Sequence, residues 1–300
     1  MSFAKKVKTE LSQIQNADCC ALACSYGLLL FGRAFSANEI SLLTEHSGVA
    51  DLYCDAVALL SGRVADLQET PGGYYQVTVR DREQRIKILE SLGLDVRSPR
   101  KQINLANMQN ECCFGAFLRG AFLACGTLTD PTKDYHLEFS VPSVGLCKNF
   151  IKMFDEFNLT PRQTQRNSIP VVYLKNSEDI EDALAYMGSS ELYMEFLGAK
   201  MIKDIRNQVN RKCNFENANA KRAVASAASQ RDAILLIADT VGIDSLPKEL
   251  REPAQIRLDN PELSTAALLP LLSESLTKSG LHHRMKRIEQ FAAELKEKTE

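Results

Sequence analysis

The sequence has no apolar run approaching the roughly 20 residues that a membrane-spanning helix needs. Its longest such run, residues 19–31, follows Lys5, Lys6 and Lys8 as the core of a secretion signal would. Glu10 and Asp18 intervene, however, and no small-residue cleavage site follows, so the run reads as a buried helix. Compositional extremes are missing too. With 45% apolar and 25% charged residues, a disordered or fibrous chain is excluded. A formal net charge of −2 gives the whole chain no polyanion-binding signature. Nine cysteines, an odd number without a secretion signal, suggest reduced thiols in a cytosol. Cys20 and Cys24 lack a second Cys/His pair at ligand spacing, which argues against structural zinc.

What is present is asymmetry and repetition. Three hundred residues suit two or three domains. Residues 200–300 hold 17 basic against 14 acidic side chains, whereas residues 1–199 hold 19 against 24. The stretch 200–222 alone is +5, with seven basic and two acidic residues, which points to a nucleic-acid or acidic partner for the C-terminal part. Cys19-Cys20 and Cys112-Cys113 each open an apolar helix-like run with a glycine eight residues after the first cysteine, at Gly27 and Gly120. Each run leads to a strand-like stretch (39–45; 135–141), a helical pattern (49–60; 144–157), a hairpin and a closing helix (82–94; 177–187). The hairpin turns are expected at Pro71-Gly72-Gly73 and at Ser168-Ile169-Pro170. A unit occurring twice at a spacing of 93 residues is a structural repeat. A glycine inside a helix costs about 1 kcal/mol against alanine. Two helices packed at close range about a pseudo-two-fold axis would explain both glycines.

A glycine-containing helix pair between two αββαββα repeats resembles the LAGLIDADG homing endonucleases, with Leu118-Arg119-Gly120-Ala121-Phe122-Leu123-Ala124-Cys125-Gly126 on the nine motif positions. Those enzymes carry an acid at the penultimate motif position of each helix, where the acids hold the metals that activate water. Here the positions fall on Cys125 and Gly32, neither of which ligates magnesium. The nearest acids, Asp130 and Glu39, lie downstream in the two copies.

After residue 200 the hairpins stop. The segment 204–219 is rich in asparagine and basic residues, and composition favours a polar helix end with asparagine caps leading into a linker. Arg and Asn also suit phosphates and base edges. Further on, Pro261 fits the start of a helix over 262–272, which Pro270 must shorten or kink. Residues 273–276 make a short turn, and Thr277 is a good N-cap for a helix over 278–296. Leu281, Met285, Ile288, Ala292 and Leu295 form its buried stripe. At about 100° per residue, Ser279, His283 and Lys286 project opposite that stripe, with His282, Arg284 and Arg287 on its flanks. Residues 278–287 contain four basic side chains, two histidines and no acid.

The string DIRNQVNR..N.ENAN at 204–219 is similar to the signature of the WhiA family of bacterial regulators, which join a degenerate LAGLIDADG domain to a C-terminal helix-turn-helix. Asp239-Thr240-Val241-Gly242, Leu246 to Glu252 (LPKELRE), Ala254-Gln255-Ile256-Arg257 and Lys278-Ser279-Gly280-Leu281 with His283-Arg284 match as well. The resemblance implies an α+β fold: two LAGLIDADG-like αββαββα repeats in one monomer (1–105 and 106–205), an Asn/Arg-rich join (206–219), and an all-α helix-turn-helix domain (220–300, the motif at about 264–298). It implies a cytoplasmic, nucleoid-associated DNA-binding transcription factor for cell division, chromosome segregation and, in spore formers, sporulation. Double-stranded promoter DNA is the expected partner, with a protein of the transcription or division machinery as a second, and no membrane. The DNA contacts would come from Thr277, Lys278, Ser279, His282, His283, Arg284, Lys286 and Arg287, joined by Arg206, Asn207, Asn210 and Arg211. No catalytic residue, metal or cofactor is expected. A metal-dependent DNA nuclease, and a sensor using the N-terminal domain as receiver, are the rival readings.

Overall fold

The computed structural model describes residues 3–100 and 102–299. The chain divides into two compact units between Asp204 and Ile205. In the first, helix α1 (Phe3–Ser12) precedes two copies of one topology. The first copy runs α2 (Asp18–Leu30), β1 (Ala34–Phe35), β2 (Ile40–Thr44), α3 (Ser47–Ser61), β3 (Asp66–Glu69), β4 (Tyr75–Thr78) and α4 (Arg82–Ser91). The second runs α5 (Glu111–Cys125), β5 (Gly126–Leu128), β6 (Leu137–Ser140), α6 (Val144–Glu156), β7 (Arg162–Arg166), β8 (Ile169–Leu174) and α7 (Ser177–Met187). Each copy forms an antiparallel four-stranded sheet, ordered β1-β2-β4-β3 and β5-β6-β8-β7. This is the αββαββα repeat, present twice.

Local chemistry repeats along with topology. Asp81 caps α4 by accepting the Glu83 N–H at 3.0 Å, and Asn176 caps α7 by accepting the Glu178 N–H at 3.3 Å. One apolar core runs through both copies, and Tyr26 of α2 meets Phe117 of α5 with ring centroids 5.3 Å apart. The second hairpin turns one residue earlier than its sequence suggested. Arg166 pairs with Ile169, and Asn167 and Ser168 form the loop with φ of 48° and 69°. Positive φ at both positions is the primed turn whose twist suits a hairpin, and asparagine tolerates it. Ile169 and Pro170 therefore belong to β8.

The helix α8 (Ser190–Thr240) follows, and the division between units falls inside it. The expected asparagine-capped helix end in the join is not formed. No glycine or proline occurs between Gly198 and Gly242, so nothing in the chain interrupts the helix. The second unit adds α9 (Lys248–Asp259) and α10 (Lys278–Thr299) around a core of Ile234, Ile237, Leu250, Leu281, Met285 and Ile288. The α-helix expected over 262–272 is also not formed. A single 3-10 turn, Leu269–Leu271, stands in its place. Pro270 has no N–H for the Ala266 carbonyl, which instead accepts the Leu269 N–H at 3.4 Å. Among the described residues, no helix is long and apolar enough to cross a membrane.

Candidate nucleic-acid interface

Helix α10 begins as its sequence suggested. Thr277 Oγ1 accepts the Gly280 N–H at 3.1 Å, and the Thr277 carbonyl accepts the Leu281 N–H at 3.0 Å. Leu281, Met285, Ile288 and Ala292 are buried, which turns Ser279, His282, His283 and Lys286 outward. Those four residues and Lys278 line one side of an open groove of about 780 Å³. Arg222 and Ser226 of α8 and the turn Ser264-Thr265-Ala266 line the rest. The groove thus gathers three fixed cations, two imidazoles and several hydroxyls. That mixture supplies charge for phosphates and small donors and acceptors for base edges.

Arg284 and Arg287 are placed differently. The sequence 278–287 contains no acid, but neighbouring segments bring acids to it. Arg284 donates to Glu274 Oε2 at 2.7 Å, and Arg287 donates to Glu249 Oε1 at 3.1 Å. Arg284 also donates to the Glu249 carbonyl at 3.3 Å. That carbonyl is the one that Pro253, inside α9 and without an N–H, cannot bond. Arg284 therefore fills a gap left in a neighbouring helix and fixes α10 against α9. The Glu249 carboxyl is held below its ordinary pKa by its own backbone N–H and by Arg287. Glu252 is lowered likewise by the Ser273 N–H and hydroxyl, at 2.7 and 2.9 Å.

In the first unit, the C-terminal ends of α2 and α5 carry cations where the endonuclease pattern has acids. Lys8 donates to the Leu123 carbonyl at 3.2 Å. Arg100 donates to the Leu30 carbonyl at 3.0 Å and to the Gly32 carbonyl. The Cys125 thiol is pushed up to about 12 by burial, so it stays neutral. Glu39 accepts from Ser41 at the start of β2, and Asp130 accepts from Thr132, each bond reaching only two residues along the chain. The outer strands differ in charge: β3 exposes Asp66 and Glu69, whereas β7 exposes Arg162 and Arg166.

Comparison with known proteins matches residues 114–206 to the WhiA LAGLIDADG-like domain and residues 209–292 to the WhiA C-terminal HTH domain. "Probable cell division protein WhiA" of Carboxydothermus hydrogenoformans is 33% identical over 308 residues, covering 99% of this chain and 98% of that protein. Its counterpart from Alkaliphilus oremlandii is 34% identical over 321 residues, covering 99% and 98%. The chain belongs to the WhiA family. The crystal structure of full-length DUF199/WhiA from Thermatoga maritima agrees, with 25% identity, a TM-score of 0.58, and coverage of 98% of this chain and 99% of that one.

Within this WhiA-family chain the other expected contacts lie on α8. Arg206, Asn207, Asn210 and Arg211 fall in a stretch, 204–217, in which every residue is exposed. None of them lines the groove. At about 100° per residue, Arg211 lies within about 20° of Arg222 and about 16 Å before it along the helix. Arg206 and Asn210 turn to the other side. Sequence reasoning missed Arg222 as an individual residue, although the +5 stretch contains it. Arg257 stands out in the sequence only as part of the family match, which does not mark its burial: it is fully buried, its Nε donates to Gln230 Oε1 at 3.0 Å, and burial lowers its pKa. The carbonyls of Asn260 and Leu263 that accept from it are local, but Gln230 lies 27 residues away, and no local pattern marks that pairing.

Proposed function

We propose that this chain is a sequence-dependent DNA-binding regulator of transcription and not a nuclease. Helix α10 enters the major groove of double-stranded promoter DNA, with its N-terminal residues toward the bases. Ser279 and His283 meet base edges, and His282 lies beside them. Lys278, Lys286 and Arg222 engage phosphates, and Arg211 extends the same basic face along α8. The observation that carries this reading is the groove itself, in which Arg222 of α8 and Lys278, Ser279, His282, His283 and Lys286 of α10 converge. Arg284 and Arg287 act from behind by fixing the helix that reads. The name borne by the relatives supports regulated genes in cell division. Chromosome segregation and, in a spore former, sporulation follow from the same resemblance, with the protein working on the nucleoid in the cytoplasm. Absence of nuclease activity is supported by Lys8 and Arg100 at the helix ends where metal-binding acids would have to lie.

The test uses full-length protein. Bound genomic fragments are mapped for the wild type and for Ser279→Ala/His283→Ala. The wild type should enrich discrete promoter fragments, and the double variant should retain DNA affinity while losing that preference. Equal enrichment by both would remove α10 as the reader, and the basic face at 204–222 would become the better candidate.

A further inference from the structure

The two cysteine doublets, 93 residues apart in sequence, meet in space. Cys19 and Cys20 are the second and third residues of α2, and Cys112 and Cys113 are the second and third of α5. The helix pair brings Cys19 Sγ to 3.8 Å from Cys112 Sγ and 3.9 Å from Cys20 Sγ. The cross-contacts are reciprocal: the Cys20 thiol donates to the Cys112 carbonyl, and the Cys113 thiol to the Cys19 carbonyl. All four Sγ atoms lie within 4.8 Å of one another. Neighbouring thiols on one helix cannot surround an ion, but two doublets facing across a pseudo-two-fold axis supply a complete ligand set. The second pair that ligand spacing along the chain did not provide is provided by the fold.

We propose that Cys19, Cys20, Cys112 and Cys113 form a tetrathiolate site for one divalent ion of the zinc class, which staples the N-terminal ends of α2 and α5. A tetrahedron with metal–sulfur bonds of about 2.3 Å has edges of about 3.8 Å, which the Cys19–Cys112 and Cys19–Cys20 separations already match. Thiolate ligands select zinc and similarly soft ions over magnesium or calcium. A four-iron cluster interposes a cube of iron and sulfide between its cysteines and needs sulfurs farther apart than 4.8 Å. Binding one Zn²⁺ releases four thiol protons and leaves a centre of charge −2. Both helices begin at this point, and each N-terminus contributes about half a positive charge toward it. Cys113 is buried, Cys19 and Cys20 are half-buried, and Cys112 is exposed, so the ion has an entry path. The site lies at the opposite end of the helix pair from Gly32 and Cys125, and is therefore a structural clasp and not a displaced catalytic centre.

The test begins with untagged full-length protein, reduced and loaded with excess Zn²⁺, then desalted. Elemental analysis should find one zinc per chain. Replacement by Co²⁺ should give the intense visible bands of tetrahedral cobalt thiolate. Cys19→Ser/Cys112→Ser should lose both signals, while Cys213→Ser, at an exposed cysteine of α8, should keep them. Should the double variant fail to fold, alkylation of the wild type followed by mass spectrometry decides: zinc should protect these four thiols and leave Cys213 reactive. Substoichiometric zinc, an octahedral cobalt spectrum, unchanged alkylation, or a Cys19–Cys112 disulfide in place of bound metal would each overturn the proposal.

Discussion

Gly27 and Gly120 each lie against the backbone of the other's helix, where a side chain would have no room. A Cβ on Gly27 would lie 2.2 Å from the Phe117 carbonyl oxygen, and a Cβ on Gly120 would lie 2.1 Å from the Cys24 carbonyl oxygen. Each glycine faces the residue three before its counterpart, so the relation has two-fold character. The backbones approach because both side chains are missing. A single methyl must therefore move a whole helix, since its obstacle is backbone and not a flexible side-chain tip.

Gly27→Ala or Gly120→Ala should accordingly destabilise the first unit by about 1–3 kcal/mol, the cost of overpacking a tight core. Gly198 in α8 is the control, because a Cβ there meets nothing within 4 Å. Gly198→Ala should stabilise by about 0.5–1 kcal/mol through helix propensity. Denaturant unfolding of the three variants checks this. A Gly120→Ala protein as stable as wild type would mean that the helices do not pack at this distance.

The repeats could be read from the sequence because their markers are local: a cysteine doublet, a glycine in an apolar helix, an alternating hairpin. The stripe of α10 and its Thr277 cap were legible for the same reason. What escaped depends on partners distant in the chain. Arg284, expected to contact DNA, also donates to the Glu249 carbonyl that Pro253 leaves open, a pairing that spacing within 278–287 does not mark. The Cys doublets marked only the starts of two helices in the sequence, and the helix pair brings them together. The join looked like a linker because asparagine suggests caps, yet without glycine or proline the helix simply continues.

The two glutamates of α9 set a pH dependence. Glu249 and Glu252 both titrate below their ordinary value, the first through its own backbone N–H and Arg287, the second through Ser273. A depressed carboxyl contributes stability above its unfolded pKa, about 4.3, and loses it as pH falls through the lower folded value. Glu252→Gln should therefore lower the Tm of the second unit near neutrality, and the gap to wild type should close as the pH drops well below 4.3. Melting curves across the acid range measure it. A gap independent of pH would show that the carboxylate charge plays no part.

The helix ends at Gly32 and Cys125 should support no phosphodiester chemistry. Lys8 and Arg100 occupy the carbonyls there, and a neutral thiol replaces one acid. Supercoiled plasmid incubated with the protein and Mg²⁺ or Mn²⁺ should remain uncut. Nicking that copurifies with the protein and vanishes in Gly120→Trp, which wedges the pair apart, would refute this.

The arginines and lysines of α10 should separate into two classes. Arg284 has only 17% of its side chain exposed and holds a proline-freed carbonyl and Glu274. Arg284→Ala leaves that carbonyl without its donor and should cost about 1–3 kcal/mol of stability. Lys286 lines the open groove, so Lys286→Ala should change stability by no more than about 0.5 kcal/mol. On DNA the order reverses. Lys286→Ala should weaken binding to every sequence and reduce the salt slope by about one, because one phosphate contact is lost. Arg284→Ala, measured at a temperature where it remains folded, should keep the wild-type slope. Thermal melts paired with salt titrations on two unrelated duplexes separate the classes. If Arg284→Ala shifts the slope and Lys286→Ala does not, Arg284 leaves Glu274 on binding and the groove is not where phosphate is held.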